Sequence, residues 1–375
     1  MLPPKGHKAT SASARSPSAT AQARIKPLAR LPFLVAYSLP LVHLLALEIR
    51  GPWVFISLLN GFVLIPVLDS LSGHSIKEAD LAAPRRGFHD RILELWVPTQ
   101  LALLAWTIYS LIKRAPTQLE LVGLSLSMGL LSGAVGINIA HELMHRKERA
   151  HRALAELLMT SVGYAHYCIE HVLGHHLFVG THGDPVTARR GESVYAFLPR
   201  AIFTGITSAW RLEKKRCSRA GISGLSLRDR RQRYLLTQTA LFGSLYLAFG
   251  GLITTFYLAQ ALTAVLLLEI TDYIEHYGLR RVKLENGRYE RVADHHSWNS
   301  TQALTSAYLF HLTRHSDHHM VASRPYDQLR ARPDAPALPA GYPTMMVAAL
   351  IPPLWFRIMN PRADAVEASK QPSSA

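Results

Sequence analysis

Long stretches of the chain contain no charged residue, and their lengths predict membrane-spanning helices. A helix needs about 20 apolar residues to cross a hydrocarbon core of about 30 Å. The first four stretches are near that length: Leu31–Leu47, Gly51–Leu68, Leu95–Ile112 and Leu121–Ala140. The sequence therefore predicts four helices that cross a bilayer before residue 145.

The fifth apolar stretch is too long for a single crossing. Tyr234–Leu268 holds 35 residues without a charge, which would make a helix of roughly 50 Å. We predict two helices that turn after Gly250-Gly251, the second continuing to about Leu279. A last run, Tyr342–Met359, is interrupted by prolines and is expected to lie at the interface or pack on the bundle. The predicted fold is all-α, with six transmembrane helices.

The two ends of the chain differ in composition from this apolar part. Residues 1–27 are rich in Ser, Ala, Pro and basic residues, which predicts a disordered cytoplasmic tail without the apolar core of a signal peptide. Residues 28–360 are predicted to form one membrane domain with cytoplasmic catalytic segments. Residues 361–375 are expected to be a flexible C-terminal tail.

The distribution of charge predicts how the chain sits in the membrane. The net charge is +15, although charged residues make up only 18% of the chain, below the roughly 25% of soluble domains. Lys and Arg concentrate before the first span, after the second, fourth and sixth, and before the fifth. Positive residues favour the cytoplasmic side, so both termini are predicted to be cytoplasmic. The charge therefore does not indicate nucleic-acid binding.

Histidine is unusually frequent, with 19 residues, and four clusters stand at predicted cytoplasmic ends of helices. They occur in HELMH, EHVLGHH, DYIEHYGL and RHSDHH. Within the clusters, spacings of three and four residues place side chains on one helix face. Nine histidines belong to these clusters: His141, His145, His171, His175, His176, His276, His315, His318 and His319.

The number of clustered histidines indicates a site for two metal ions. Neutral imidazole suits iron, copper, zinc and nickel, and one zinc ion uses about four ligands. Nine ligands fit two ions with open positions. HELMH alone also matches the zinc-protease signature, with Glu142 as general base, but the other three clusters favour the larger site. His311, one turn before His315, is a candidate tenth ligand.

Acidic residues near these clusters are candidates to hold the ligands in place. Carboxylates close to a membrane are costly and usually functional, and a metal-bound histidine usually donates its second N–H to a carboxylate or carbonyl. Six carboxylates are predicted to serve in this way: Glu142, Glu170, Glu269, Asp272, Glu275 and Asp317.

Taken together, the four histidine motifs resemble those of the alkane 1-monooxygenases. These are integral-membrane, non-haem di-iron hydroxylases related to the membrane fatty-acid desaturases. The resemblance runs from the first span to Pro352-Pro353 and includes GDPVTARRGESVY and HSWNS. It implies that the nine histidines bind two iron ions, that O₂ is a co-substrate, and that the terminal methyl group of an n-alkane becomes a primary alcohol.

Several features leave the substrate open. Asp272, Thr313 and Arg146 stand where the family usually has Asn, Gln and Lys, and relatives oxidise the methyl groups of alkylbenzenes. A desaturase is a second possibility, because HSDHH also fits the third histidine motif of that group. A membrane metal-binding or transport protein is a third, although the nearly charge-free spans do not favour it.

The resemblance also indicates partners and location. Cys168 and Cys217 are the only cysteines and cannot form the two Cys-x-x-Cys pairs of a fused rubredoxin. We therefore expect a separate rubredoxin or ferredoxin with its reductase, attracted to the basic cytoplasmic face. We expect the protein in the bacterial cytoplasmic (inner) membrane, where its alkane substrate partitions.

Asn60 and Gly61, in the second predicted span, are candidates for the substrate channel. If Gly61 faces the cavity, its missing side chain leaves depth for a longer alkane. Alternatively, Gly61 permits close packing of helices, as small residues do in membranes.

Overall fold

The structure is a computed structural model that describes residues 31–75 and 87–370. Both predicted tails lie outside this part, except for residues 361–370. All regular elements in the described part are helices, which confirms the all-α prediction, and only isolated bridges pair extended residues. The helices are α1 Pro32–Ile49, α2 Gly51–Ser72, α3 Phe88–Lys113, α4 Gln118–Met144, α5 Arg149–Ser161, α6 over residues 167–178, α7 Val194–Arg219, α8 Arg230–His276, α9 Ala303–Tyr308, α10 His315–Met320, α11 Tyr342–Ala349 and α12 Pro352–Ser369.

Helix α8 folds back on itself at the predicted place. Gly250 has φ 75° and ψ −171°, a conformation open to glycine because it lacks a Cβ atom. The rings of Phe242 and Tyr257, on opposite sides of this break, lie 5.7 Å apart, whereas a straight helix would separate them by about 22 Å. With α1–α4, α8 is one of five described helices long and apolar enough to cross a membrane. Six crossings stay a prediction.

Helix α4 is the central helix of the bundle. It buries 83% of its most apolar window, against 28% to 44% for the other four long helices. Gly129 and Gly133 let α8 approach its backbone: a Cβ atom at Gly129 would lie 2.4 Å from the Thr263 Cβ atom. At Gly133 it would lie 2.9 Å from the Ala264 Cα atom. Small residues thus set the close packing of α4 on α8.

A chain of hydrogen bonds joins the first four helices inside the bundle. The His43 ring lies 2.8 Å from the Ser127 hydroxyl and 2.9 Å from that of Thr107. Ser127 in turn donates to Ser57 over 2.6 Å. These groups come from α1, α4, α3 and α2 respectively, so a buried polar network fixes their mutual rotation.

Three helices contain a short stretch of wider π-helical turns. These stretches are Asn60–Leu64 in α2, Leu131–Ile137 in α4 and His171–His175 in α6. Such turns are rare in proteins, and those that occur often lie at functional sites, because they rotate the residues that follow them.

Helix α12 continues beyond residue 360, where the sequence analysis ends the membrane domain. Trp355, Met359 and Ala363 recur every four residues and are buried, so one face of the helix packs on the bundle. Asp364 binds Arg190 at the same contact. Residues 361–369, which the sequence analysis assigns to a flexible tail, are helical because this face extends past residue 360.

Candidate metal centre

The four histidine clusters converge on one region, at the ends of α4 and α8 and along α6 and α10. The nine predicted histidines divide into two groups, and the ligand atoms within each group lie within 4.8 Å of one another. His311 belongs to neither group; its Nδ1 atom lies 3.1 Å from the Tyr326 carbonyl oxygen. The five-histidine group is His141, His145, His171, His176 and His318, and the four-histidine group is His175, His276, His315 and His319.

The wide turn in α6 explains how adjacent histidines serve different groups. In a regular α-helix, residues four apart share a face, which would pair His171 with His175. The π-helical turn His171–His175 instead brings together residues five apart. The Nε2 atoms of His171 and His176 consequently lie 3.1 Å apart, while His175 faces the other group.

The nitrogen atoms of the five-histidine group are arranged as ligands around a cation. The Nε2 atoms of His145, His171 and His176 lie 3.1 Å from one another in all three pairs. A neutral imidazole has only one N–H, so three such atoms cannot all be hydrogen-bonded in a triangle. Edges of about 3 Å suit nitrogens about 2.1 Å from a shared ion. The buried His141 Nε2 atom has no hydrogen-bond partner among the described residues.

The four-histidine group is equally compact and more deeply buried. His315 Nε2 lies 3.0 Å from His276 Nε2 and 2.9 Å from His319 Nε2, and His175 Nε2 lies 3.2 Å from His319 Nε2. All four of these histidines are buried, whereas His145 and His176 of the other group are half-buried. The five-histidine group is therefore the closer of the two to the surface.

Burial keeps the histidines outside the membrane spans neutral. It lowers the pKa of His145 to about 3 and holds the pKa of His176 and His319 well below the ordinary value. Neighbouring histidines add to this effect, because two adjacent imidazolium ions would repel each other. The lone pairs are thus free to bind metal at neutral pH.

Asp184 holds a ligand of the four-histidine group, and the sequence analysis missed this role. Its Oδ2 atom lies 3.0 Å from His175 Nδ1, and both side chains are fully buried. Asp184 also accepts a hydrogen bond from the Thr187 hydroxyl over 2.6 Å. This contact places the proton of His175 on Nδ1 and leaves Nε2 as the metal-binding atom. The signal was present in GDPVTARR, whose acidic residue follows His175 by nine positions.

Glu275 and Asp272, both predicted, lie beside the same group. Glu275 Oε1 is 3.3 Å from His315 Nδ1 and accepts a hydrogen bond from the Tyr342 hydroxyl over 2.7 Å. Asp272 lies within 4.8 Å of Glu275 and His276, and its Oδ2 atom has no hydrogen-bond partner among the described residues.

The other four predicted carboxylates are buried nearby but do not contact a ligand. Glu142, Glu170 and Asp317 each adjoin a histidine in the sequence, and neighbouring positions on a helix point in different directions. Glu269 precedes His276 by seven residues, about two turns. The role of Glu142, Glu170, Glu269 and Asp317 in holding metal ligands therefore stays a prediction.

These four carboxylates instead stabilise the surrounding elements. Glu142 pairs with Arg146 over 2.7 Å, and Asp317 pairs with Arg324 and Arg332. Glu170 accepts a hydrogen bond from the Ser208 hydroxyl over 3.3 Å, and Glu269 accepts one from the Tyr164 hydroxyl over 2.7 Å. Asp317 also accepts from the Arg330 backbone N–H over 2.9 Å. It therefore ties α10 to the segment that follows it.

A largely apolar cavity leads from α2 to the histidines. Gly61 lines it, and a Cβ atom there would lie 3.0 Å from Leu130 Cδ2. Asn60 is not among the lining residues, because its side chain leaves the helix in a different direction. The cavity is lined at its polar end by His141, His171, Asp272, Glu275, His315 and Tyr342.

Comparison with known proteins identifies the family. Residues 116–349 match the family described as "Fatty acid desaturase". The chain is 40% identical over 346 residues to alkane 1-monooxygenase 1 of Pseudomonas aeruginosa, covering 90% of this chain and 91% of that one. The chain belongs to the alkane 1-monooxygenase family. Its members are oxidoreductases, and the match extends over the long apolar helices and both histidine groups.

Two further relatives show how the family extends. Alkane 1-monooxygenase 2 of Alcanivorax borkumensis is 44% identical over 245 residues, covering 65% of this chain and 64% of the relative. The xylene/toluene monooxygenase hydroxylase component XylM of Pseudomonas putida is 30% identical over 241 residues, covering 64% of each chain. Proteins with related sequences are thus named for different substrates, alkanes in one case and xylene or toluene in the other.

Proposed function

We propose that this protein hydroxylates the terminal methyl group of n-alkanes with O₂, at two iron ions held by the nine histidines. The observation that carries the proposal is the meeting of four distant histidine clusters in a five-membered and a four-membered group. The apolar cavity that ends at His141, His171 and His315 supports it. Family membership supports the same reaction.

The donor set is suited to iron and leaves room for O₂. Neutral imidazole binds iron, zinc, copper and nickel, and membership of a monooxygenase family favours iron among them. Five and four ligands leave positions open on six-coordinate ions. Bound there, a pair of iron ions supplies the electrons that reduce O₂ and the oxidising power that removes hydrogen from an unactivated C–H bond.

The protein residues bind and orient the alkane. The apolar lining takes the chain out of water, and Gly61 and Leu130 bound the end of the cavity remote from the histidines. A chain that fills this space presents its methyl group at the polar end, beside His141 and His315. Holding the reacting group in place lowers the entropic cost of reaction.

Hydroxylation of alkylaromatic methyl groups is the second candidate function. The similarity to XylM favours it. Desaturation, suggested by the family description of residues 116–349, is the third. The products separate desaturation from both hydroxylations, because hydroxylation incorporates an atom of O₂ whereas desaturation gives an alkene.

The enzyme is proposed to lie in the bacterial cytoplasmic membrane with both termini in the cytoplasm. The concentration of Lys and Arg in alternate loops supports this orientation. Near the start of α8, Arg233 pairs over 2.8 Å with Glu156 of α5, the helix that separates the first two histidine motifs. The other end of α8 is His276 itself. Both ends of α8 therefore lie near the histidine groups. The histidine groups then face the cytoplasm, where electron carriers are found.

A separate, acidic one-electron carrier, rubredoxin or ferredoxin, is proposed to dock beside His145 and His176. These are the half-buried histidines of the five-histidine group. The exposed Leu177 directly follows His176, and the exposed Lys147 and Arg149 follow His145. An apolar centre with a basic rim suits such a carrier.

Kinetics with the carrier test this docking site. Lys147→Glu with Arg149→Glu should raise the KM for an acidic rubredoxin and leave the iron content unchanged. Lys283→Glu with Arg288→Glu, which reverses two exposed charges on another loop, is the matched control. An unchanged KM in the first variant would refute the site.

Turnover of an alkane series tests the main proposal. The purified protein, reconstituted with rubredoxin and its reductase in isotopically labelled O₂, should yield primary alcohols carrying the label. His315→Ala should abolish turnover, whereas His74→Ala, an exposed histidine outside both groups, should retain it. Unlabelled alcohol, alkene as the main product, or a single bound zinc would contradict the proposal.

A further inference from the structure

The C-terminal half of α7 and the loop to α8 carry a group of free positive charges. Their side chains are exposed, and none forms an ion pair with a described residue. Exposed, unpaired cations on one segment form a field that attracts anions. The five cations are Arg211, Lys214, Lys215, Arg219 and Arg228.

Neighbouring arginines, by contrast, are used to fix the loop. Glu213, which is fully buried, binds Arg216 over 2.6 Å and Arg230 over 2.9 Å, one from each side of the loop. Asp229 binds Arg231 over 2.6 Å and caps the start of α8. The free cations are thus displayed on a fixed backbone, which lowers the entropic cost of binding a partner.

Two leucines in the same loop are exposed to an unusual degree. The side chain of Leu225 is 95% exposed and that of Leu227 is 60% exposed, although each would gain by burial. The loop ends where the apolar part of α8 begins, and there Leu235 and Leu236 also face outwards. The exposed apolar surface of the loop therefore continues into a surface suited to lipid.

We propose that this surface binds anionic phospholipid of the cytoplasmic leaflet. The five free cations contact the headgroups, and Leu225 and Leu227 enter the boundary between headgroups and acyl chains. The combination of a basic face with apolar side chains is that of interfacial membrane anchors. We name these seven residues the basic platform.

The position of the apolar residues favours lipid over an acidic protein as the occupant. A carrier that delivers electrons needs the half-buried histidines of the five-histidine group, whereas the basic platform begins beyond Ser208, the residue of α7 that contacts Glu170. Leu225 stands at the tip of a loop next to a predicted crossing. The proposal does not depend on the reaction catalysed at the histidines.

Binding of phosphatidylglycerol to the full-length protein tests the proposal. The purified protein is titrated in nanodiscs of phosphatidylcholine with increasing phosphatidylglycerol, and retained lipid is counted by native mass spectrometry. Removing three charges with Lys214→Gln, Lys215→Gln and Arg219→Gln should weaken retention at least tenfold, since each cation near an anionic surface contributes roughly fivefold. Inorganic phosphate should not displace the lipid.

Two further variants make the result decisive. Leu225→Ser with Leu227→Ser should also weaken retention while keeping every charge. The control, Lys283→Gln with Arg288→Gln and Arg291→Gln, removes three exposed charges elsewhere and should retain the lipid. Equal retention in wild type and charge variant, equal loss in the control, or a raised KM for rubredoxin with unchanged lipid retention would each overturn the proposal.

Discussion

Asp184 holds His175 through a carboxylate–imidazole contact of 3.0 Å in which both side chains are fully buried. The neighbouring Glu275 approaches His315 of the same group. No histidine of the five-histidine group has a comparable carboxylate contact among the described residues. The two groups therefore differ in charge as well as in the number of ligands.

Asp184→Asn should weaken metal binding at the four-histidine group alone. The amide lacks the negative charge that stabilises the ion and cannot accept hydrogen bonds at both former oxygen positions. Changes in such partners typically cost 10–100-fold in metal affinity. Iron content after chelator treatment, with Mössbauer spectra to distinguish the two sites, measures the effect.

Asp364→Asn provides the matched control for this prediction. It removes a carboxylate that binds Arg190 at the surface, away from both groups. Its iron content should equal that of the wild type. Equal loss from both sites in Asp184→Asn would contradict the prediction.

Gly61→Trp should shorten the longest alkane oxidised. The cavity extends to Gly61, and even a Cβ atom there would press on Leu130, so an indole must fill the end of the cavity. Leu130→Ala should have the opposite effect, because it removes the side chain opposite. The product profile over a series of alkanes is the measurement.

Gly243→Trp is the control for the glycine substitution. Gly243 is exposed on α8 with open space around it and does not line the cavity. Its product profile should match the wild type. If Gly61→Trp also leaves the profile unchanged, Gly61 serves helix packing and not substrate length.

The metal-free protein should lose stability as the pH falls below about 6.5. Burial lowers the pKa of His145 from 6.5 to about 3, so the folded state binds fewer protons than the unfolded state across this interval. The stability present above pH 6.5 is lost progressively towards pH 3. Thermal unfolding between pH 7 and pH 4 measures this, and a constant midpoint would contradict it.

Asp69→Ala should destabilise the contact between α2 and α9. Asp69 is buried and accepts hydrogen bonds from the Thr305 hydroxyl and from its backbone N–H, the latter over 2.9 Å. Leaving both donors unpaired should cost about 1–3 kcal/mol. Thermal unfolding in detergent, with the exposed Ser70→Ala as control, measures the loss. Equal midpoints for the two variants would exclude a role for this contact.

The sequence could predict which histidines meet, because imidazole clusters are chemically specific and their spacing is helical. His141 and His145, or His315 and His319, share a helix face by spacing alone. The division into groups could not be predicted, because it depends on the wide turn at His171–His175, for which sequence periodicity gives no signal. Nor could adjacency along the chain identify the supporting carboxylates.

Asp184 illustrates that second limit. It follows His175 by nine residues and reaches it only because the loop after α6 folds back over that helix. Glu142, by contrast, adjoins His141 but points elsewhere. The end of α12 was missed for a different reason: the apolar face formed by Trp355, Met359 and Ala363 continues past the last strongly hydrophobic stretch.

The reversal of α8 at Gly250 offers an experimental test of the proposed orientation in the membrane. No atom lies within 4 Å of where a Cβ would stand at Gly251, so a cysteine or short epitope introduced there should be tolerated. In intact cells it should react with membrane-impermeant reagents that enter the periplasm, whereas a tag after residue 370 should stay protected until the cells are opened. Such labelling would establish which side of the membrane each end of the bundle faces, and it needs no metal, substrate or turnover assay.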